Sequence, residues 1–400
     1  MVLAYSGGLD TSVLIKLIQE KHESAVVTVT LDVGQLEDLK EIEDRAKSVG
    51  SVKHYSFDAR REFVEGYVFP ALKANALYEG KYPLASALSR PLISSKLVEV
   101  AKKENAWAVA HGSTGKGNDQ ARFDITIKAL APDLKVLAPV REWNLSRDEE
   151  IEYAKKHGIP VSTEKKKYSI DQNLWGRSIE AGPLESLEHE PPADAFGWTV
   201  PPEKAPDTPE YITLHYDAGV PTALDGKEME AVELLRKLTD IGGRHSIGRI
   251  DQVEDRIVGI KSREVYECPA ATMLIEAHRD LEKLTLTRHE LMLKQQLEQQ
   301  WTWLVYAGLW CEPLREDVEA FINKTQERVV GDVKLKLYKG TAMPVGRSSP
   351  NPLYVPSLAS YGIAATFNQS LAAGFVELWG LPTVVASRAK TDRPKKRKPE

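Results

Sequence analysis

Up to about residue 165, short apolar runs alternate with stretches of helical periodicity, and this alternation constrains the fold more than any other feature. Val2–Tyr5, Ala25–Thr30, Val52–Phe57, Trp107–Ala110 and Val136–Pro139 read as strands. Thr11–Glu20, Leu36–Val49, Glu62–Ala74, Pro91–Glu104 and Arg147–His157 read as helices, the last ending at Gly158 and Pro160. Strands that alternate with helices form a parallel sheet covered on both faces. The fold class is therefore α/β, with a Rossmann-like parallel sheet whose ligands sit beyond the carboxyl ends of the strands.

Near residue 165 the alternation stops. Pro191, Pro192, Pro201, Pro202, Pro206 and Pro209 mark a long irregular crossing. Beyond it, Tyr211–Tyr216 and Ile250–Tyr266 have strand character, with a turn at Asp225-Gly226. Met229–Asp240, Ala270–Leu284, Arg288–Tyr306 and Arg315–Thr325 are helical, and Phe367–Trp379 reads as a further amphipathic helix. The reading is an α+β second domain and a C-terminal helical tail: residues 1–165, 166–360 and 361–400. A length of 400 residues, more than one core usually serves, agrees with this division.

A composition of 42% hydrophobic and 28% charged residues is that of a soluble globular protein. No apolar run reaches membrane-spanning length, and the initial apolar stretch lacks the length and basic start of a signal peptide. The formal charge of −5 gives no case for nucleic acid. Cys268 and Cys311 fit no metal or redox spacing and read as reduced thiols of a cytoplasmic protein.

SGGLDTS, Ser6 to Ser12, lies where the first strand hands over to the first helix. Two readings compete. One is an ordinary N-cap turn with Asp10 or Thr11 as cap. The other is an anion cradle: a helix amino terminus has unpaired N–H groups and partial positive charge. There Gly7 and Gly8 admit close approach, while Ser6, Thr11 and Ser12 add hydroxyls. Neither the Walker spacing nor the Gly-x-Gly-x-x-Gly fingerprint is present.

HGSTGKGNDQARFD, His111 to Asp124, follows another short strand and should share the same sheet edge. Gly112, Gly115 and Gly117 free the backbone. Thr114 and Asn118 can hold a carboxylate, Asp119 an ammonium group, and Arg122 a second carboxylate in a bidentate fork. The competing reading is a glycine-rich βα loop capped at Asn118 or Asp119. Arg122 follows Asn118 by four residues, on one helical face, which favours a pocket.

SGGLDTS resembles the pyrophosphate loop of ATP pyrophosphatases, which split ATP between the α- and β-phosphates. HGSTGKGNDQARFD closely resembles the signature of one such family, the argininosuccinate synthases. YEGKYPLASALSRPLI, YSIDQNLWGRSIEAG, IGGRHSIGRIDQVEDRIVGIKSREVYECP and LYKG…VGRSSPNPLY also resemble that family, in order, from residue 2 to about residue 355. The resemblance implies an ATP site at Ala4, Tyr5, Ser6, Gly7, Gly8, Leu9, Asp10, Thr11, Ser12, Leu31 and Gly112. It implies aspartate contacts at Thr114, Asn118 and Asp119. It implies citrulline contacts at Tyr82, Asn118, Arg122, Ser169, Ser178, Glu254 and Tyr266. Apart from that resemblance, Ser169 and Ser178 read as loop serines, Glu254 as an exposed strand carboxylate and Tyr266 as a packed aromatic. The chain departs from the family at Ala87, where a serine is usual and where Ser86 or Ser89 could substitute, and at Leu31 and Ala270-Ala271.

The implied chemistry uses MgATP as co-substrate, with no tightly bound metal. The citrulline ureido oxygen attacks the α-phosphorus, pyrophosphate leaves, and the aspartate amine displaces AMP. Asp10, Asp119 and Arg122 are the candidate catalytic residues. Asp10 either caps the helix or helps position magnesium. The acceptor of the amine proton stays open between Asp119, a phosphate oxygen and water. His111 reads as a loop support. Lys116 and Arg90 are either triphosphate-neutralising cations or surface charges. Trp301, Trp303 and Trp310 read as core. The run Lys395 to Lys398 reads as a solvated tail. The resemblance further implies a homotetramer. Two rivals remain: a tRNA-thiolation enzyme, which should show paired cysteines and a basic surface, and a catalytically silent binder of ATP or amino acids.

Overall fold

A computed structural model describes residues 1–143, 147–160, 167–359 and 368–391. It divides into two compact units, Met1–Asn351 and Pro352–Glu400. The run Lys395 to Lys398 lies outside the described residues.

The first unit begins with five parallel strands: β1 (Val2–Ala4), β2 (Val27–Asp32), β3 (Lys53–Asp58), β4 (Ala108–Ala110) and β5 (Lys135–Leu137). Their order is β3-β2-β1-β4-β5. The chain winds outward from β1 to β3 and then returns to the other side of β1. The carboxyl ends of β1 and β4 therefore flank the topological switch point, the place where such sheets bind ligands. Successive residues of β1 enter different cores. Val2 belongs to the core that holds Leu88 and Leu97, Leu3 to the one that holds Leu14, Ile15 and Ile18. Burial on both faces explains the unbroken apolar and threonine run Val27–Leu31.

The helices largely follow their expected ranges, with instructive shifts. Leu39–Val49 starts at Asp38, whose carboxylate accepts from the Lys40 N–H. The Glu62–Ala74 pattern is a continuous helical run with a π-helical turn at Val64–Val68. The helix expected from Pro91 begins earlier, at Ala85, and keeps Pro91 inside it. The proline rule for helix starts misplaced that boundary, because burial of Ala85, Ala87 and Leu88 holds the turns before it.

The remaining strands are β6 (Ser169–Asn173), β7 (Gly176–Glu180), β8 (Glu210–Asp217), β9 (Val220–Leu224), β10 (Lys227–Glu228), β11 (Arg249–Asp255), β12 (Lys261–Glu267), β13 (Gly331–Tyr338) and β14 (Thr341–Ser348). They form two antiparallel sheets, ordered β11-β12-β7-β6 and β10-β9-β8-β13-β14. Ser169 and Ser178 are thus strand residues rather than loop residues, on a hairpin the periodicity did not indicate. Its turn is fixed locally: Asn173 Oδ1 accepts from the N–H groups of Trp175 and Gly176. Asn173 Nδ2 donates to Ala85 O at 2.8 Å, and Trp175 Nε1 donates to Pro83 O at 2.8 Å. These bonds seat the β6–β7 hairpin on the amino end of the helix Ala85–Lys103, which also packs on β1, β2 and β4.

A buried polar cluster joins four helical segments away from the switch point. Lys294 is 1% exposed and reaches Glu282 at 2.8 Å, Glu298, and the carbonyl of Lys73 at 2.6 Å. Asn75 donates to Glu282 and Glu298, while His278 bonds Asn75 and Gln326. Trp301 is fully buried and Trp310 half-buried, whereas Trp303 is 47% exposed and is not a core residue.

The second unit contains the helix Leu371–Thr391, which starts later than expected; Phe367 lies outside the described residues. Among the described residues, no helix is long and apolar enough to cross a membrane.

Lys294→Met leaves Glu282 and Glu298 without their cation in the interior. Removal of one partner from a buried ion pair costs about 3–5 kcal/mol, and urea unfolding of the variant should show a loss of that size. An unchanged midpoint would contradict it.

Candidate active site

The helix that follows β1, Leu9–His22, has Gly8 as its N-cap residue and no side-chain cap. Asp10 and Thr11 therefore lie inside the first turn, which corrects the capping reading. Gly7 adopts φ +75°, a conformation glycine reaches without strain. The loop is braced by its own hydroxyls. Thr11 Oγ1 accepts from the Ser6 N–H at 3.4 Å and contacts Ser6 Oγ at 3.2 Å. Tyr5 Oη meets Ser12 Oγ at 2.9 Å, and Thr30 Oγ1 donates to Tyr5 O at 2.6 Å. Arg45, which the sequence reading passed over, donates from Nη1 to the Gly7 carbonyl at 2.5 Å. The result is a preformed turn with positive dipole and a guanidinium beside it.

The second signature lies against the first. A Cβ placed on Gly112 would be 3.5 Å from Thr11 Cγ2. Ala4 ends β1, and Leu31 sits buried near the end of β2 with its carbonyl bonded by Gln35. His111 is wholly buried. Its Nε2 pairs with Asp124 Oδ1 at 2.7 Å and its Nδ1 accepts from the Ser113 N–H at 3.2 Å. These two contacts use both ring nitrogens, so His111 supports the loop as expected. Gln120 Nε2 closes the loop on the carbonyls of Gly115 and Gly117.

The helix Asp119–Leu130 then delivers Asp119 and Arg122 into a network. Asp119 Oδ1 accepts from Arg122 Nη1 at 2.8 Å, and Oδ2 accepts from Arg90 Nε at 2.8 Å. Arg90 also reaches Asp171 Oδ2 at 2.6 Å, so it is an interior cation rather than a surface charge. Burial alone would raise the Asp119 pKa. The charges of Arg90 and Arg122 outweigh it and hold the group at about 2. Thr114 and Lys116 lie on the exposed part of the loop.

Four of the citrulline candidates, Ser169, Ser178, Glu254 and Tyr266, share one face of the β11-β12-β7-β6 sheet. Ser178 pairs with Tyr266 on one side and Asp171 on the other, and Ser169 pairs with Glu180. Tyr82 stacks on Tyr266 with ring centroids 4.1 Å apart. Ser86 Oγ lies 3.2 Å from Ser178 Oγ, whereas Ser89 turns inward to Ser86 O and Arg90. Of the two serines beside the departure at Ala87, Ser86 and not Ser89 reaches the sheet face. Glu254, expected exposed on residue type alone, is 3% exposed and accepts from Tyr266 Oη and Tyr306 Oη, each at 2.8 Å. Burial raises its pKa, and the phenol donors partly offset that.

Tyr306 is the site residue that sequence reasoning missed. Its hydroxyl accepts from Asn118 Nδ2 at 2.9 Å and faces Glu254. Its carbonyl accepts from Arg122 Nε at 3.1 Å and Nη2 at 2.9 Å. Its ring stacks on Tyr78 at 3.5 Å. Asn118 Oδ1 in turn accepts from the Ile257 N–H at 3.0 Å. The structure thus brings Asn118, Asp119, Arg122, Glu254, Tyr266, Tyr82 and Ser178 together. Ser169 stands farther out, exposed at the sheet edge.

Tyr306→Phe removes one donor from Glu254, so the carboxylate pKa rises further. If ionised Glu254 holds citrulline, kcat/KM for citrulline should fall about tenfold, and its decline on the acid side should move to higher pH. The KM for ATP should stay within about twofold. Steady-state rates across pH check this; an unmoved acid limb would contradict it.

Two family models match nearly the whole chain: the arginosuccinate synthase N-terminal HUP domain over residues 1–160 and the arginosuccinate synthase C-terminal domain over residues 168–386. An argininosuccinate synthase of Pyrococcus furiosus is 59% identical over 386 residues, covering 96% of this chain and 94% of that protein. One of Rubrobacter xylanophilus is 55% identical over 383 residues, covering 96% and 93%. One of Pyrobaculum aerophilum is 53% identical over 389 residues, covering 97% and 98%. With both halves matched and the two signature loops meeting at one sheet edge, the chain belongs to the argininosuccinate synthase family.

Proposed function

We propose that this chain is a carbon–nitrogen ligase that condenses L-citrulline with L-aspartate through citrullyl-AMP. The products are argininosuccinate, AMP and pyrophosphate, a step of arginine biosynthesis. The observation that carries this reading is that a helix amino terminus without a side-chain cap, at Gly7–Ser12, lies against Gly112, the start of the loop whose Asn118–Arg122 network reaches Glu254 through Tyr306.

In this reading Ala4–Ser12, Leu31 and Gly112 line the MgATP site. The ureido oxygen of citrulline attacks the α-phosphorus and the bond to the β-phosphate bridging oxygen breaks. The N–H groups and hydroxyls of Ser6–Ser12, with Arg45 near, receive the negative charge of the leaving pyrophosphate. Tyr82, Ser178, Glu254 and Tyr266, with Ser169 at the rim, hold citrulline from the sheet face. Asn118 and Arg122 close the pocket from the parallel-sheet side. Thr114 and Asn118 hold aspartate carboxylates, and Asp119 holds its ammonium group. Asp119 suits that task because two guanidiniums keep it ionised at every working pH. Most of the catalysis is placement.

Residues 1–165 form the nucleotide domain and also carry the aspartate contacts and part of the citrulline contacts, residues 166–360 form the substrate domain that completes the citrulline pocket, and residues 361–400 serve assembly into a homotetramer of the cytoplasm. Exposed apolar side chains on Leu371–Thr391, among them Phe375, Leu378 and Trp379, support the assembly role.

Incubation with MgATP, citrulline and aspartate should yield argininosuccinate and pyrophosphate, and omission of either amino acid should abolish argininosuccinate. Its absence from the complete mixture would overturn the reading. Asp119→Asn should lower argininosuccinate formation at least about 100-fold while citrulline-dependent pyrophosphate release is partly retained. An equal fall in both products would place Asp119 in the first step as well.

A further inference from the structure

The aspartate nucleophile enters as an ammonium ion and must lose a proton before its nitrogen can attack. Asp119, the carboxylate assigned to that nitrogen, is a poor acceptor: Arg90 and Arg122 hold it at about 2. Glu254 is committed to Tyr266, Tyr306 and Gln252.

The geometry points to Glu180 as the group that takes the proton from the aspartate amine, an assignment that rests on the function proposed above. Glu180 and Ser178 alternate on β7 and so share a face, the one that meets Ser86 and carries the citrulline candidates. From that face Glu180 Oε2 contacts Arg256 Nη2 at 2.7 Å. Arg256 Nη1 donates to the Lys116 carbonyl at 3.3 Å, and the next residue, Ile257, bonds Asn118. One guanidinium therefore separates the Glu180 carboxylate from the backbone of the loop that presents Asn118 and Asp119. The side chain is half-buried, which leaves a route for the proton to water.

The charged groups around Glu180 come from every neighbouring element. Glu264 on β12 shares Arg256 with it at 2.7 Å. The charges of Asp171 on β6 and of Asp119 at its helix start act on it as well. Burial raises its pKa first, Glu264 adds to that, Arg256 opposes, and Asp119 and Asp171 contribute further. The balance is about 7, where an acceptor is ionised and still basic.

The ammonium nitrogen gives one proton to Glu180. Its lone pair then forms the C–N bond to the ureido carbon of citrullyl-AMP. The C–O bond to AMP breaks, and its electron pair goes to the AMP phosphate oxygen. The second proton leaves the same nitrogen to that phosphate or to water, and Glu180 releases its own to solvent.

Wild type, Glu180→Gln, Glu180→Asp and Arg256→Met are compared in two assays: citrulline-dependent ATP–pyrophosphate exchange without aspartate, and argininosuccinate formation across pH. Glu180→Gln should lose about 100-fold or more in argininosuccinate formation and lose the acid limb of kcat/KM for aspartate. Its exchange rate should stay within about threefold of wild type. Glu180→Asp, which keeps the carboxylate, should recover at least about a tenth of the synthesis and retain an acid limb. Arg256→Met removes the opposing cation, so the limb should move to higher pH. An unmoved limb in Glu180→Gln, or exchange that falls as far as synthesis, overturns the assignment. Wild type that makes no argininosuccinate overturns the proposed function itself, and the two failures are thereby told apart.

Discussion

A guanidinium cannot be buried without acceptors, and Arg122, at 4% exposure, finds all of its own within a few residues of two distant segments. One nitrogen goes to Asp119, and two go to the carbonyl of Tyr306. The requirement fixes where the helix Arg288–Tyr306 must end. The chain then turns at Gly308, φ +79°, so close that a Cβ there would stand 2.9 Å from Arg122 Cα. With the carbonyl of Tyr306 held, its hydroxyl falls between Asn118 and Glu254. The loop after β4, the end of a helix and the face of an antiparallel sheet are thereby made into one pocket wall. Removal of either the charge or the glycine would free all three.

The parallel half was legible because its signals are local. Strand and helix periods alternate, and the glycines and hydroxyls of SGGLDTS lie within seven consecutive residues. The β6–β7 hairpin was not legible in this way. Ser169–Asn173 has no clean alternation, since its outer residues are exposed and only Asn173 is deeply buried. Strand β13 is different: its burial alternates strictly, and GDVKLKLY carries that alternation in its residue types.

Site residues divide along the same line. Asn118, Asp119 and Arg122 could be proposed from one loop because the three stand within five consecutive residues of a glycine-rich segment, although most of their partners are distant. Glu254 and Tyr266 needed the family resemblance. Tyr306 looked like the last apolar residue of an amphipathic helix. Its hydroxyl partner Glu254 lies 52 residues away. Arg90 was ambiguous for the same reason, as Asp171 lies 81 residues further on. What the sequence conceals is the company a charged group keeps across the fold, and that company decides whether it is a surface charge or an interior one.

The carboxylates of the site are separated in proton affinity by these neighbours. All are of one chemical kind, yet Asp119 sits between two cations and is held at about 2. Glu254 is buried beside two phenols that donate to it, and its pKa is raised. Glu180 shares one cation with Glu264 and is held at about 7. A reaction that must hold an ammonium ion, then deprotonate it, cannot give both tasks to one carboxylate. A group that stays ionised beside the ammonium attracts it without taking its proton, whereas a group with a higher pKa can take the proton and return it to water. The cations that secure Asp119 also keep it from acting as a base. The division follows from where the fold places Arg90, Arg122 and Arg256.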